Sequence, residues 1–158
     1  MKTLVVYYSH DGSTKLMAET IAKELGADIE VLKPKKTIDA SGAKIVRWGL
    51  QQLIAHPKPE IEPLVHNLAD YDRIIIGTPV WSYTYAPPIK TFLEDNHIQG
   101  KQIGLFCCHG GQKAKTFEYM KKALPGNQFI GEIDFLEPIK YETQLSQKKA
   151  VKWARNLK

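Results

Sequence analysis

Five short apolar runs alternate along this chain with stretches patterned at helical spacing, and no other feature limits the fold as much. The runs are Thr3–Tyr8, Asp28–Leu32, Asp72–Gly77, Gln102–Cys108 and Phe129–Leu136. They carry β-branched and aromatic residues and read as strands. Between them, apolar residues recur at helical spacing. Met17, Ile21 and Leu25 mark a first helix, with Gly26 past its end. Ile45, Val46, Leu50, Leu53 and Ile54 mark a second, capped by Ser41 and ended by His56-Pro57. Ile89, Phe92 and Leu93 follow Pro87-Pro88, and Phe117, Met120 and Leu124 precede Pro125-Gly126. A last helix is expected from about Thr143 to Leu157. Strict β-α order implies a parallel sheet covered by helices on both sides. The expected fold is therefore α/β: a three-layer α/β/α sandwich around a five-stranded parallel sheet. Asp28–Leu32 alternates polar and apolar, as a half-exposed edge strand does. The Pro57–Pro63 stretch runs extended as a connector. It does not divide the chain, since neither half would hold a complete core, so one domain is expected over residues 1–158.

Composition excludes several classes. Hydrophobic residues make up 43% and charged residues 25%, which is ordinary for a globular protein. The longest uncharged stretch, Ile74–Ile89, is interrupted by Gly77, Pro79, Pro87 and Pro88 and is too short to span a bilayer. The apolar N-terminus reads as a buried strand, not a leader, and a cytoplasmic location is expected. Cys107 and Cys108 are adjacent, and neighbours on a strand face opposite ways, so no disulfide framework is available. No histidine pair has the spacing of a metal site, and neither a triad nor paired carboxylates are visible. Net charge is +5, and after Glu142 only cations follow: Lys148, Lys149, Lys152, Arg155 and Lys158. They suit a helix C-terminus or an acidic partner surface. Nucleic acid is not expected, because the basic residues belong to no recognisable binding module.

In parallel sheets, ligands sit beyond the carboxyl ends of the strands, at the point where strand order reverses. Three loops occupy that edge. The first, Ser9-His10-Asp11-Gly12-Ser13-Thr14, offers hydroxyls and the free N–H groups of a helix start. It lacks the lysine of a P-loop and the spacing of a dinucleotide fold, so it reads either as a monophosphate site or as a helix cap. The second, Thr78–Ala86, sets Trp81, Tyr83 and Tyr85 within five residues. If extended, they turn to one side and can stack on a flat ligand; otherwise they enter the core. The third joins His109 to Gly110 and Gly111, which let a ligand approach the backbone. His109 either contacts a ring or stands in solvent.

Taken together, these residues resemble the flavodoxin-like family. Ser9–Thr14 is similar to its phosphate loop. Gly77-Thr78-Pro79-Val80-Trp81 with Tyr85-Ala86-Pro87-Pro88-Ile89-Lys90-Thr91-Phe92-Leu93 resembles its flavin-ring loop, and Cys108-His109-Gly110-Gly111 its third contact loop. The resemblance implies strand order 2-1-3-4-5 and one non-covalent FMN. By position, Ser9, His10, Asp11, Gly12, Ser13 and Thr14 would surround the phosphate. Pro79, Val80, Trp81, Ser82, Tyr83 and Thr84 would line the ring, with Trp81 or Tyr83 stacking on it. Cys108, His109, Gly110, Gly111 and Gln112 would approach its pyrimidine side.

Two departures stand out. Asp11 replaces a hydroxyl residue, and a carboxylate beside a phosphate repels it, so Asp11 is expected to turn outward or cap the helix. The chain is also basic, with a pI near 9.1, where electron-carrier flavodoxins are acidic. Lys90, Lys113 and Lys115 flank the ring loops, so a less negative flavin potential is expected. The resemblance implies a redox protein that passes electrons to a partner protein or a small acceptor. The alternative is an NAD(P)H-dependent FMN oxidoreductase acting on quinones or similar acceptors.

Overall fold

The computed structural model describes residues 1–37 and 58–157. The helix expected after Ser41 and the first residue of the Pro57–Pro63 connector lie outside them.

Strand β1 (Thr3–Tyr7) is central, and all five of its residues are buried. It pairs in parallel with β2 (Asp28–Val31) on one side and with β3 (Arg73–Trp81) on the other. Beyond β3, β5 (Gln102–His109) and β6 (Gln128–Leu136) extend the parallel sheet in the order β2-β1-β3-β5-β6. This is the expected 2-1-3-4-5 order with one addition. A two-residue strand, β4 (Thr84–Tyr85), folds back antiparallel onto the end of β3, giving six strands instead of five. The hydrogen-bonded strand continues from Gly77 through Trp81, so the span read as a loop from Thr78 is in large part a β-hairpin.

Alternation along the buried strands sends neighbouring side chains to two separate cores. On one face, Val5, Ile75, Phe106 and Cys108 pack against Met17, Ala18 and Ile21 of α1 (Ser13–Leu25) and Ala150 and Ala154 of α4 (Thr143–Asn156). On the other, Leu4, Val6, Ile74, Ile76 and Cys107 meet Ile89 and Phe92 of α2 (Pro87–Asp95) and Phe117 and Met120 of α3 (Thr116–Lys122). The two cysteines thus lie in different cores. Ile74, Ile75 and Ile76 are each fully buried. Such burial contributes about 1.5–3 kcal/mol per side chain, which explains why an unbroken apolar run was needed at this position.

Glycines set how closely these layers approach. The Phe106 ring lies over Gly77, where an added Cβ would fall 2.0 Å from Cζ. Trp153 and Leu157 of the terminal segment seat over Gly131, at 3.1 Å from the position of an added Cβ.

The edge strand β2 departs from the expected pattern. Glu30, not an apolar neighbour, is its buried residue, and Val31 is exposed. Glu30 Oε2 accepts the Val65 N–H at 3.0 Å and the His66 N–H at 2.8 Å, and lies 2.8 Å from His66 Nδ1. A carboxylate is tolerated here because a distant segment supplies its donors. Among the described residues, no helix is long and apolar enough to cross a membrane.

Candidate functional site

Strand order reverses between β1 and β3, and the loops beyond them meet there. The Trp81 ring lies edge-on to Tyr8 at 5.7 Å and to His10 at 5.6 Å between centroids. Burial pushes the Tyr8 phenol up to about 12.

The first loop ends on Gly12, whose φ of 97° lies in the left-handed region that glycine adopts freely. Its carbonyl accepts the Leu16 N–H at 2.9 Å and starts α1. Ser9 Oγ accepts the Lys15 N–H at 3.2 Å. Asp11 Oδ1 accepts the Ser13 N–H at 2.9 Å, so the carboxylate caps the helix. The Thr14 side chain is fully buried. Its hydroxyl faces the Cys108 thiol, which burial pushes up to about 12 against the opposing effect of that hydroxyl. Thr14 Oγ1 itself has no hydrogen-bond partner.

The second loop is shaped by the hairpin. Ser82 and Tyr83 take positive φ angles of 50° and 67° at its tip. The chain therefore reverses between Trp81 and Tyr85, and the three aromatics do not form one extended row. Trp81 and Tyr85 are half-buried against the core, while Tyr83 is 67% exposed. Thr78 locks the base of the hairpin: its hydroxyl donates to Pro79 O at 2.8 Å and accepts the Ala86 N–H at 3.0 Å. Pro79, Val80 and Trp81 sit on β3, and Thr84 pairs with Trp81 across the turn.

In the third loop, the His109 side chain turns toward β6. Its Nε2 lies 3.0 Å from Asp134 Oδ2, and Lys113 Nζ lies 3.3 Å from Asp134 Oδ1. Burial tends to raise the Asp134 carboxyl, but the bonds from His109 and Lys113 outweigh it and hold the group below its ordinary value. An ionised carboxylate only accepts, so Nε2 carries the shared proton and Nδ1 is the ring's other polar atom. It is buried and has no partner. Gly110, Gly111 and Gln112 are exposed beside it.

A fourth loop, residues 137–142, joins these three and was not singled out from sequence. Glu137 N–H donates to His109 O at 2.9 Å, and Lys140 Nζ pairs with Glu137 Oε1 at 2.7 Å. Ile139 Cδ1 lies 3.4 Å from where a Cβ on Gly12 would stand. It carries no motif, but it follows a parallel strand and so shares the edge that selected the other three. Asp134 was missed because only the pairing of β5 with β6 brings it to His109.

The arrangement can hold an anion at a helix start and a flat ring beside Trp81. Among the described residues, the buried side-chain polar atoms without a partner are Thr14 Oγ1 and His109 Nδ1. Thr14 Oγ1 stands at the start of α1, turned toward Cys108, and His109 Nδ1 at the end of β5, beside the Asp134 contact, so each lies at the carboxyl edge of the parallel sheet.

Comparison with known proteins follows the same line. A family model described as Flavodoxin matches residues 2–156. An NAD(P)H dehydrogenase (quinone) from Caulobacter vibrioides is 30% identical over 148 residues, covering 85% of this chain and 71% of that protein. A flavoprotein from Lactobacillus acidophilus, solved in complex with FMN, is 31% identical with a TM-score of 0.74, covering 90% of this chain and 97% of that one. A flavodoxin from Bacillus cereus, 18% identical with a TM-score of 0.59, covers 99% of this chain and 97% of its own and shares the fold.

Proposed function

The chain belongs to the flavodoxin family, and from that premise we propose that it holds one FMN in the crevice beyond β1, β3 and β5 and passes electrons through it. The observation that carries the assignment to this crevice is the meeting of the first two loops at the point where strand order reverses, with Trp81 set against Tyr8 and His10. The donor chemistry also fits. Ser9, His10, Gly12, Ser13 and Thr14 surround the start of α1, where N–H groups and the helix dipole favour a phosphate. Pro79 to Thr84 supply an apolar and aromatic wall for the ring, with Trp81 braced by Tyr8 and His10. His109 presents Nδ1, with its ring oriented by the contact of Nε2 with Asp134. FMN, when bound, supplies reversible uptake of one or two electrons. The protein's part is to hold the ring, exclude water from one face and set the local charge.

The finer reading is that NAD(P)H is the donor and a quinone, or a similar small acceptor, is the oxidant. Its support is the 30% identity to an NAD(P)H dehydrogenase (quinone). The ring loops also carry cations suited to an anionic nucleotide: Lys113 and Lys115 beside the third loop, and Lys140 beyond β6. An absorbance spectrum before and after reduction tests FMN binding. Oxidation of NADH or NADPH with a quinone at about 1–1000 turnovers per second tests the enzyme reading. Flavin binding without oxidation of either nucleotide would leave electron transfer to a protein partner as the function.

A further inference from the structure

Asp11 occupies donors that a phosphate at this helix start needs. Its Oδ1 accepts the Ser13 N–H at 2.9 Å, and its Oδ2 accepts the Ser13 hydroxyl at 3.3 Å. Ser9 Oγ takes the Lys15 N–H. Two N–H groups of the first turn of α1, those of Ser13 and Lys15, are therefore taken by side-chain oxygens of the loop, and one of these oxygens belongs to a carboxylate. A carboxylate and a phosphate favour the same N–H groups and the same positive end of the helix dipole. Each competes for Ser13, and two anions side by side repel.

We propose that Asp11 is an internal stand-in for the cofactor phosphate, and that it sets how strongly this chain prefers FMN over riboflavin. The inference rests on the FMN reading above. Binding FMN displaces the Asp11 cap and then places the freed carboxylate beside the phosphate. Riboflavin has no phosphate, so it leaves the cap in place and meets no repulsion. Lys140 tempers the penalty. Its ammonium is paired first with Glu137 and also feels the charge of Asp11, so a cation stands on the same side of the loop. The consequence is a flavin site with reduced selectivity for the phosphorylated cofactor, and one that exchanges FMN readily.

Quenching of flavin fluorescence gives dissociation constants for FMN and riboflavin with the wild-type chain, Asp11→Thr and Asp11→Asn. Asparagine keeps an oxygen on the Ser13 N–H and removes only the charge, so it guards against a folding defect in the threonine variant. Both variants should bind FMN about five- to tenfold more tightly than wild type, from removal of one like charge at close range. Riboflavin affinity should change less than twofold. If Asp11→Asn binds FMN no more tightly than wild type, or if riboflavin gains as much as FMN, Asp11 is not the determinant. If the wild-type chain binds neither flavin, the FMN reading fails and this inference falls with it.

Discussion

His109 and Asp134 meet across the β5–β6 pair, with Nε2 3.0 Å from Oδ2, although they are 25 residues apart in sequence. The strand register puts Cys107 opposite Asp134, two residues before His109 on the same face. The contact fixes the imidazole, and it ties Asp134 to pH. The folded carboxyl titrates below its ordinary value near 3.9 because His109 and Lys113 outweigh burial. Its contribution to stability is therefore complete above about pH 4 and is lost as pH falls through the lower, folded value. Asp134→Asn should flatten the acid limb of a plot of Tm against pH between about 2 and 5. An unchanged acid limb would show that the pair does not couple to folding.

The same substitution bears on the flavin. Removing a carboxylate beside the third loop should make the flavin midpoint potential less negative, because reduction adds negative charge to the ring. Redox titration of the FMN-loaded wild type and variant reads the shift. Identical potentials would place Asp134 too far from the ring to matter.

Thr14 separates stability from binding. Its hydroxyl is buried and unpartnered, so Thr14→Val removes an unsatisfied polar atom while keeping the shape. Thermal unfolding without flavin should show unchanged or higher stability, by up to about 1 kcal/mol. FMN affinity should fall while riboflavin affinity holds. Equal losses for both flavins would remove Thr14 from the phosphate side.

The hairpin offers a second separation. Trp81 is braced by Tyr8 and His10, whereas Tyr83 is 67% exposed at a φ of 67°. Trp81→Ala should weaken FMN binding by roughly 1–3 kcal/mol and also lower Tm, since the ring packs on the core. Tyr83→Gly should raise stability by about 1 kcal/mol, because glycine takes a positive φ without strain. If Tyr83 stacks on the ring, that gain comes with weaker FMN binding; calorimetry of both variants distinguishes the two aromatics.

Gly77 admits no side chain. An added Cβ would lie 2.0 Å from Phe106 Cζ and 2.4 Å from Cε1, and that ring is fully buried. Gly77→Ala should destabilise by about 3 kcal/mol, at the high end for overpacking. Adding Phe106→Leu should recover part of the loss. Denaturant midpoints of the single and double variants measure it, and additive losses would mean the ring is not the obstacle.

The candidate site was read from where its segments fall: Ser9–Thr14, Thr78–Ala86 and His109–Gln112 each lie at the carboxyl end of a strand, on the edge where parallel sheets bind ligands, although Thr78–Trp81 and His109 belong to the strands themselves. The fold was legible for a related reason. A strand buried on both faces reads as a near-continuous apolar run, and Ile74-Ile75-Ile76 meets that demand by composition alone.

What tertiary structure decided were pairings between distant segments. Ser82 and Tyr83 are poor residues for a two-residue turn, and the hairpin forms because Thr78 binds both of its ends. Glu30 is buried because the Val65 and His66 N–H groups arrive from another segment. His109 turns inward because β6 brings Asp134 beside it. Local pattern determines which residues need burial and which loops share an edge. Which oxygen finds which donor depends on strand register and rotamer, and those exist only once the sheet has closed.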